Sequence, residues 1–274
     1  MEYQQRHLAL LTEYDGSAFN GWQSQAIGRT VQQTLQKAIM ELTGEKNLQL
    51  TGSSRTDSGV HARGHVSHFQ TACGIPTAKF ALALNSRLPD DVAVLAACEV
   101  ESDFHARYHA LSKIYTYRIW NHPCRPAIDR LRVAHVPCPL DHDLMLKAMP
   151  LLVGQHNFQA FCDTGSCVRN PVRTLQNLQL DVRGPLLTIT VQGDGFLYHM
   201  VRILAGTLVA VAQGKIELDA LPAIIAAGDR TLNGKTMPAQ GLCLERVFYE
   251  PSLFDDYFSQ MAKAGELIEQ PEME

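Results

Sequence analysis

Long apolar runs are missing from this sequence. None of its 274 residues belongs to a run of 18 or more, so no membrane-crossing helix is expected. The opening MEYQQRHLALLTEY lacks a basic segment followed by a long apolar one and does not read as a signal peptide. The seven cysteines are odd in number and none forms a Cys-x-x-Cys pair, which points to reduced thiols in a cytoplasmic protein. Cys162 and Cys167, with His156 nearby, have the wrong spacing for the common structural zinc sites and no evident fourth ligand, so no metal is expected. Gly193-x-Gly195 lacks the third glycine of a dinucleotide fingerprint and no Walker-type loop exists, so no nucleotide cofactor is expected either.

Positive charge is also scarce: the formal net charge is −4. Its distribution is uneven. From Pro251 to Glu274 six acids face one base, and without that tail the chain is at +1. Between Phe104 and His135 stand Arg107, Lys113, Arg118, Arg125, Arg130 and Arg132 against Asp129 alone, with four histidines and several aromatics. Such a stretch suits a phosphate-facing patch, although a solvated face has the same composition. With 46% hydrophobic residues the chain can bury a sizeable core, as one large domain or two of ordinary size.

Periodicity supplies the elements. His7 to Tyr14 reads as a strand. Thr30 followed by Gln33 fits a capping box, Val31, Leu35, Ala38, Ile39 and Leu42 share a helical face, and Gly44 stops it, so 30–43 is a helix. Leu48 to Ser54 and Gly64 to Gln70 read as strands, Thr77 to Asn85 as a helix and Val92 to Val100 as a strand. Ser112 to Trp120 alternates, with Tyr115, Tyr117 and Ile119 on one face. Beyond it come a helix from Asp141 to Val153, an irregular stretch from Phe158 to Pro171, and strands Leu175 to Val182 and Leu186 to Gln192. Helices Gly195 to Ala212 and Leu218 to Ala227 and a strand Gly241 to Tyr249 complete the chain. The fold class is α/β, of the α+β type: two mixed lobes, 1–107 and 108–250, share a largely antiparallel sheet, and an acidic tail, 251–274, follows.

One loop stands out. Arg55-Thr-Asp57-Ser-Gly59 lies between two expected strands. Asp, Ser and Gly are ordinary turn residues, so a plain hairpin turn is one reading. The other is a carboxylate shown to a substrate, with small neighbours that let a ligand approach the backbone.

Arg55-Thr-Asp57-Ser-Gly-Val-His-Ala62 resembles the catalytic-aspartate motif of the TruA-type tRNA pseudouridine synthases. Tyr14-Asp-Gly16 with Phe19-x-Gly-Trp-Gln23 is similar to that family's N-terminal signature, and Phe104-His-Ala-Arg-Tyr108 with Lys113-x-Tyr115-x-Tyr117 to its central one. His156-Asn-Phe158-x-x-Phe161, Val172-Arg-Thr174, Phe196-Leu-Tyr-His-Met-Val-Arg202 and Gly241-Leu242-x-Leu244 match further blocks, in the family's order. Where the family has Gly-Arg-Thr-Asp-Ala-Gly, this chain has Ser54-Arg-Thr-Asp-Ser58-Gly: two small residues differ, and the acid and the arginine stay.

The resemblance implies a pseudouridine synthase fold and an enzyme that needs no cofactor. It also implies a tRNA substrate modified in the anticodon arm, at positions 38, 39 and 40, and a homodimer in which one tRNA touches both subunits. Asp57 would be the catalytic carboxylate and Arg202 its partner, Tyr115 would stack on the uracil, Arg55 would reach into the RNA, and Leu242 would wall the pocket. Each residue has a plainer reading: a snorkelling arginine at 202, a cross-strand aromatic at 115, a surface cation at 55, strand core at 242. A non-catalytic RNA-binding protein, stacking bases on Tyr115 and Tyr117 beside a basic patch, is the alternative function.

Overall fold

The computed structural model describes residues 5–165 and 170–263. In chain order its regular elements are β1 (Arg6–Tyr14), α1 (Val31–Thr43), β2 (Thr51–Gly52), β3 (His61–Thr71), α2 (Thr77–Asn85), β4 (Val92–Glu99), β5 (Ser112–Asn121) and β6 (Ala134–Val136). There follow α3 (His142–Ala148), β7 (Gly154–Asn157), β8 (Val172–Arg183), β9 (Leu186–Gly193), α4 (Met200–Ala212), α5 (Leu221–Ala227), β10 (Leu242–Phe248) and α6 (Asp255–Lys263). The strands form one sheet in the order β4-β1-β3-β10-β5-β9-β8-β7, with β2 beside β3 and β6 beside β5. Pairing is antiparallel except at β3–β10 and β5–β6. The expected mixed fold on a largely antiparallel sheet is what is found.

Local chemistry explains most boundaries. Thr30 is extended and accepts the Gln33 N–H, so the chain turns into α1 there, and Gly44 closes the helix at φ 75°. The Gln33 side chain does not complete a reciprocal box: it accepts from the Thr30 hydroxyl and donates to Gln25 O. The face with Val31, Leu35, Ala38 and Ile39 is buried, and truncating Leu35 to alanine would cost about 2–5 kcal/mol. In β9, Leu187, Ile189 and Val191 alternate inward, and α4 is buried along most of its length.

Several expectations differ in detail. Of Leu48 to Ser54 only Thr51–Gly52 pairs as strand. The Gln36 side chain binds Leu48 O and the Gln32 side chain binds Leu50 O at 2.7 Å, so α1 takes acceptors that a ladder would use. The helix expected over Asp141 to Val153 is α-helical only to Ala148 and tightens to a 3-10 turn over Met149–Leu151, because Pro150 has no N–H to give. The helix expected from Gly195 starts five residues later, and the one from Leu218 begins as a 3-10 turn before Pro222. Just past α3 and its 3-10 turn, Gly154 opens β7, which pairs with β8.

The 3-10 turn Phe158–Phe161 begins the stretch expected to be irregular; residues 166–169, Cys167 among them, lie outside the described residues. So do residues 264–274 of the acidic tail, but its start folds as α6, where Asp255 pairs with Arg246 at 2.8 Å and Phe258 lies 4.2 Å under the same guanidinium. No helix of the described residues is long and apolar enough to cross a membrane.

Candidate active site

The loop from Ser53 to Val60 joins β2 to β3 and is held by the segment after β1. Trp22 N–H donates to Thr56 O at 3.1 Å, Tyr14 and Thr56 hydroxyls meet at 2.8 Å, and the Ser58 hydroxyl and Gly59 N–H both donate to Phe19 O. The approach at Gly21 is backbone to backbone: its φ is 84°, and a β-carbon there would sit 2.5 Å from Thr56 O. Val60 N–H closes a turn on Asp57 O at 3.1 Å. The turn reading is therefore right for the backbone, while the Asp57 side chain takes no part in the turn and points across to α4.

Two side chains from the start of α4 reach the same oxygen of Asp57. Arg202 Nη1 donates to Oδ2 at 3.1 Å, and His199 Nε2 lies 3.4 Å from it. Arg202 Nε is fixed on Met237 O at 2.7 Å, which pre-aims the guanidinium, and the side chain is 14% exposed. Oδ1 of Asp57 has no hydrogen-bond partner among the described residues, and the side chain is 22% exposed. One oxygen of the carboxylate is anchored and the other is accessible.

Behind His199 stands a second acid. His199 Nδ1 meets Asp163 Oδ2 at 2.7 Å, Thr236 Oγ1 donates to that oxygen at 2.7 Å, and Arg230 Nε donates to Oδ1 at 2.7 Å. Burial alone would raise the Asp163 pKa, but the bonds from Thr236, His199 and Arg230 outweigh it and hold the carboxyl at about 2.

Tyr115 and Leu244 pair directly across β5 and β10, as do Tyr117 and Leu242, so all four share a sheet face. Tyr115 is 7% exposed and meets the edge of Phe196 at 5.2 Å. Burial first, then the nearby Asp57 charge, pushes its phenol up to about 12. Leu242 is buried in β10. Lys113, on the Tyr115 side of β5, donates to Ser53 O at 2.7 Å; burial, with Arg107 and Arg173 adding, brings its amine down to about 8. Arg55 is exposed and makes no hydrogen bond or ion pair with any described residue.

Thus Asp57, Arg202 and Tyr115 come together, Leu242 joins their sheet face, and Arg55 stays apart on the surface. Sequence reading gave no site role to His199, Asp163 or Lys113. His199 precedes Arg202 by three residues, a same-face helical spacing, and Lys113 shares the parity of Tyr115, so both were findable. Asp163 comes from an irregular stretch with no pattern to betray it.

A family profile described as tRNA pseudouridine synthase matches residues 10–109 and 148–250. The chain is similar to a tRNA pseudouridine synthase A of Ruminiclostridium cellulolyticum, 47% identical over 245 residues, 89% of this chain and all of that one. It is similar also to one from Acetivibrio thermocellus (46% over 244 residues) and to tRNA pseudouridine synthase A 2 of Clostridium perfringens (44% over 244 residues), each covering 89% of this chain and 100% of the relative.

Proposed function

The chain belongs to the tRNA pseudouridine synthase family, and from that premise we propose that it isomerises uridines 38, 39 and 40 in the anticodon arm of tRNA with Asp57 as the acting carboxylate. The reaction breaks the bond from uracil N1 to ribose C1′, turns the base over and joins C5 to C1′. The proton lost from C5 is balanced by one gained at N1, so no oxidant, metal or nucleotide cofactor enters. The uridine must leave the helical stack first, because C1′ is obstructed there.

The observation that carries this reading is the half-anchored carboxylate: Oδ2 on Arg202 at 3.1 Å, Oδ1 open, Tyr115 beside it. The guanidinium sets a positive charge against the anchored oxygen as the pocket loses water. Oδ1 attacks C1′, attacks C6 or removes a sugar proton; all three need the same oxygen in the same place. Tyr115 stacks on the loose uracil, Leu242 walls the pocket and Arg55, free on the surface, enters the RNA to hold the nucleotide out. Asp57→Asn, assayed by tritium release from tRNA labelled at uracil C5, tests the proposal: release is lost while tRNA affinity stays. Release that persists removes the mechanism. Absence of release from the unaltered protein favours the non-catalytic RNA-binding reading, in which an acid facing phosphates has no use.

The enzyme works in the cytoplasm as a homodimer, and doubling the basic stretch from Phe104 to His135 lengthens the groove for one tRNA. Light scattering tests the dimer, and a monomer mass refutes it. Affinity for tRNA falls as salt rises, through counterion release. The lobes divide at about 105–110, in keeping with a strand order that sets β4, β1 and β3 on one side of β10 and β5, β9, β8 and β7 on the other.

A further inference from the structure

His199 has φ 61° and ψ 6°, the left-handed region, at the residue before α4. A non-glycine residue there is strained by its own β-carbon, and such strain persists only where surrounding contacts over-determine it. The position is an N-cap, yet the side chain makes no capping bond. The ring instead bridges two acids, with Nδ1 on Asp163 at 2.7 Å and Nε2 3.4 Å from Asp57. Asp163 is fixed by Arg230 and Thr236, and Arg230 is tied in turn to Gly234 O at 2.9 Å. The acceptor on Nδ1 fixes the ring plane, and so the direction of Nε2; a carboxylate at each nitrogen calls for an N–H on each. Arg202, one turn on, meets the same Asp57 oxygen.

Resting on the reading of Asp57 as the acting carboxylate, we infer that His199 is a positioning residue for it: held by Asp163 and Arg230, the imidazole fixes the Asp57 rotamer so that Oδ1, not Oδ2, faces the extruded nucleotide. Arg202 alone holds Oδ2 by one bond and leaves the carboxylate free to pivot about it; a second contact from another direction stops that pivot. The ring never touches the reacting atoms, and its effect is on the rate of the bound complex rather than on tRNA capture.

His199→Gly tests this directly, because glycine adopts the same backbone without strain and the variant folds. Single-turnover rate and tRNA Kd are measured separately. The rate falls about 10- to 100-fold, as for a slightly misplaced reacting group, and Kd stays within about twofold. His199→Gln, which keeps much of the volume but cannot place N–H donors on both acids, falls likewise. Asp163→Asn lowers the rate in the same way, and adding it to His199→Gly costs little more, since both act through one ring. A rate within about twofold of the unaltered enzyme in both His199 variants overturns the inference, as do fully additive losses in the double variant. Asp57→Asn separates the two levels: if it stays active the underlying reading fails, and if it is inactive while the His199 variants run at full rate only the positioning role fails.

Discussion

Asp15 lies 3.2 Å from His61 and 3.8 Å from Arg132; Asp57 lies 3.4 Å from His199 and 3.1 Å from Arg202. The inventories match and the situations do not. Asp15 Oδ1 accepts the Ser17 N–H at 2.9 Å and caps the 3-10 turn Gly16–Ala18. His61 Nδ1 accepts from Gly16 N–H at 3.1 Å and Nε2 meets Leu131 O at 2.8 Å, so the ring has no proton to offer Asp15. Arg132 is 63% exposed, and such a surface pair is worth little. The adjoining cleft of about 180 Å³ gathers four more carboxylates, Glu13, Asp90, Asp91 and Glu245, against three arginines, an unwelcoming field for a phosphodiester. At Asp57 the arginine is 14% exposed and anchored on Met237 O, and an aromatic ring stands by. Asp57 is thus anchored through one oxygen from outside its own turn while the other has no partner among the described residues, whereas Asp15 is taken up by its own turn.

Substitutions sharpen that contrast. Asp57→Asn should show the largest effect, a loss of about 10⁴-fold or more in tritium release, whereas Asp15→Asn should stay within about twofold of the unaltered rate. Equal losses at both positions would erase the distinction. Arg202→Met should be next, with a rate loss of about 10²- to 10³-fold and, because it strands a partly buried carboxylate, a stability loss of about 3–5 kcal/mol. That corresponds to a Tm fall of roughly 6–20 °C by calorimetry. Arg55→Ala should lower activity on tRNA about tenfold and leave Tm unchanged, since the side chain has no partner among the described residues. Asp15→Ala should cost only about 1 kcal/mol, the value of a lost cap.

The smallest effect is in acid. The Asp163 pKa is held at about 2 against an ordinary 3.8, so its contribution is fully present above pH 4 and is lost as pH falls through about 2. Urea melts between pH 4 and 2 should fall more steeply for the unaltered protein than for Asp163→Asn. Parallel curves would show that the Arg230–Asp163–His199 chain adds no stability.

The pairing of residues 57 and 202 was legible through the resemblance, which sets both in matching blocks; the residues by themselves left a hairpin turn and a snorkelling arginine open. The boundaries were less so where side chains from elsewhere took the backbone's bonds: Gln32 and Gln36 shortened the strand at Thr51–Gly52. Docking of α6 on Arg246 was hidden for a similar reason, since the acidic composition of 251–274 reads as solvated whichever surface its Phe258 finds.

Sequence alone determined the element types, the alternation that puts Tyr115 and Tyr117 on one face, and the loop of small residues that carries Asp57, because these follow from local sterics and from the periods of helix and strand. Only the tertiary structure decided which oxygen of Asp57 is open, that a strained histidine completes its clamp, and that Asp15 in a similar turn is a mere cap. Those outcomes depend on directions of hydrogen bonds between segments up to 145 residues apart, and no local pattern encodes a direction across that distance.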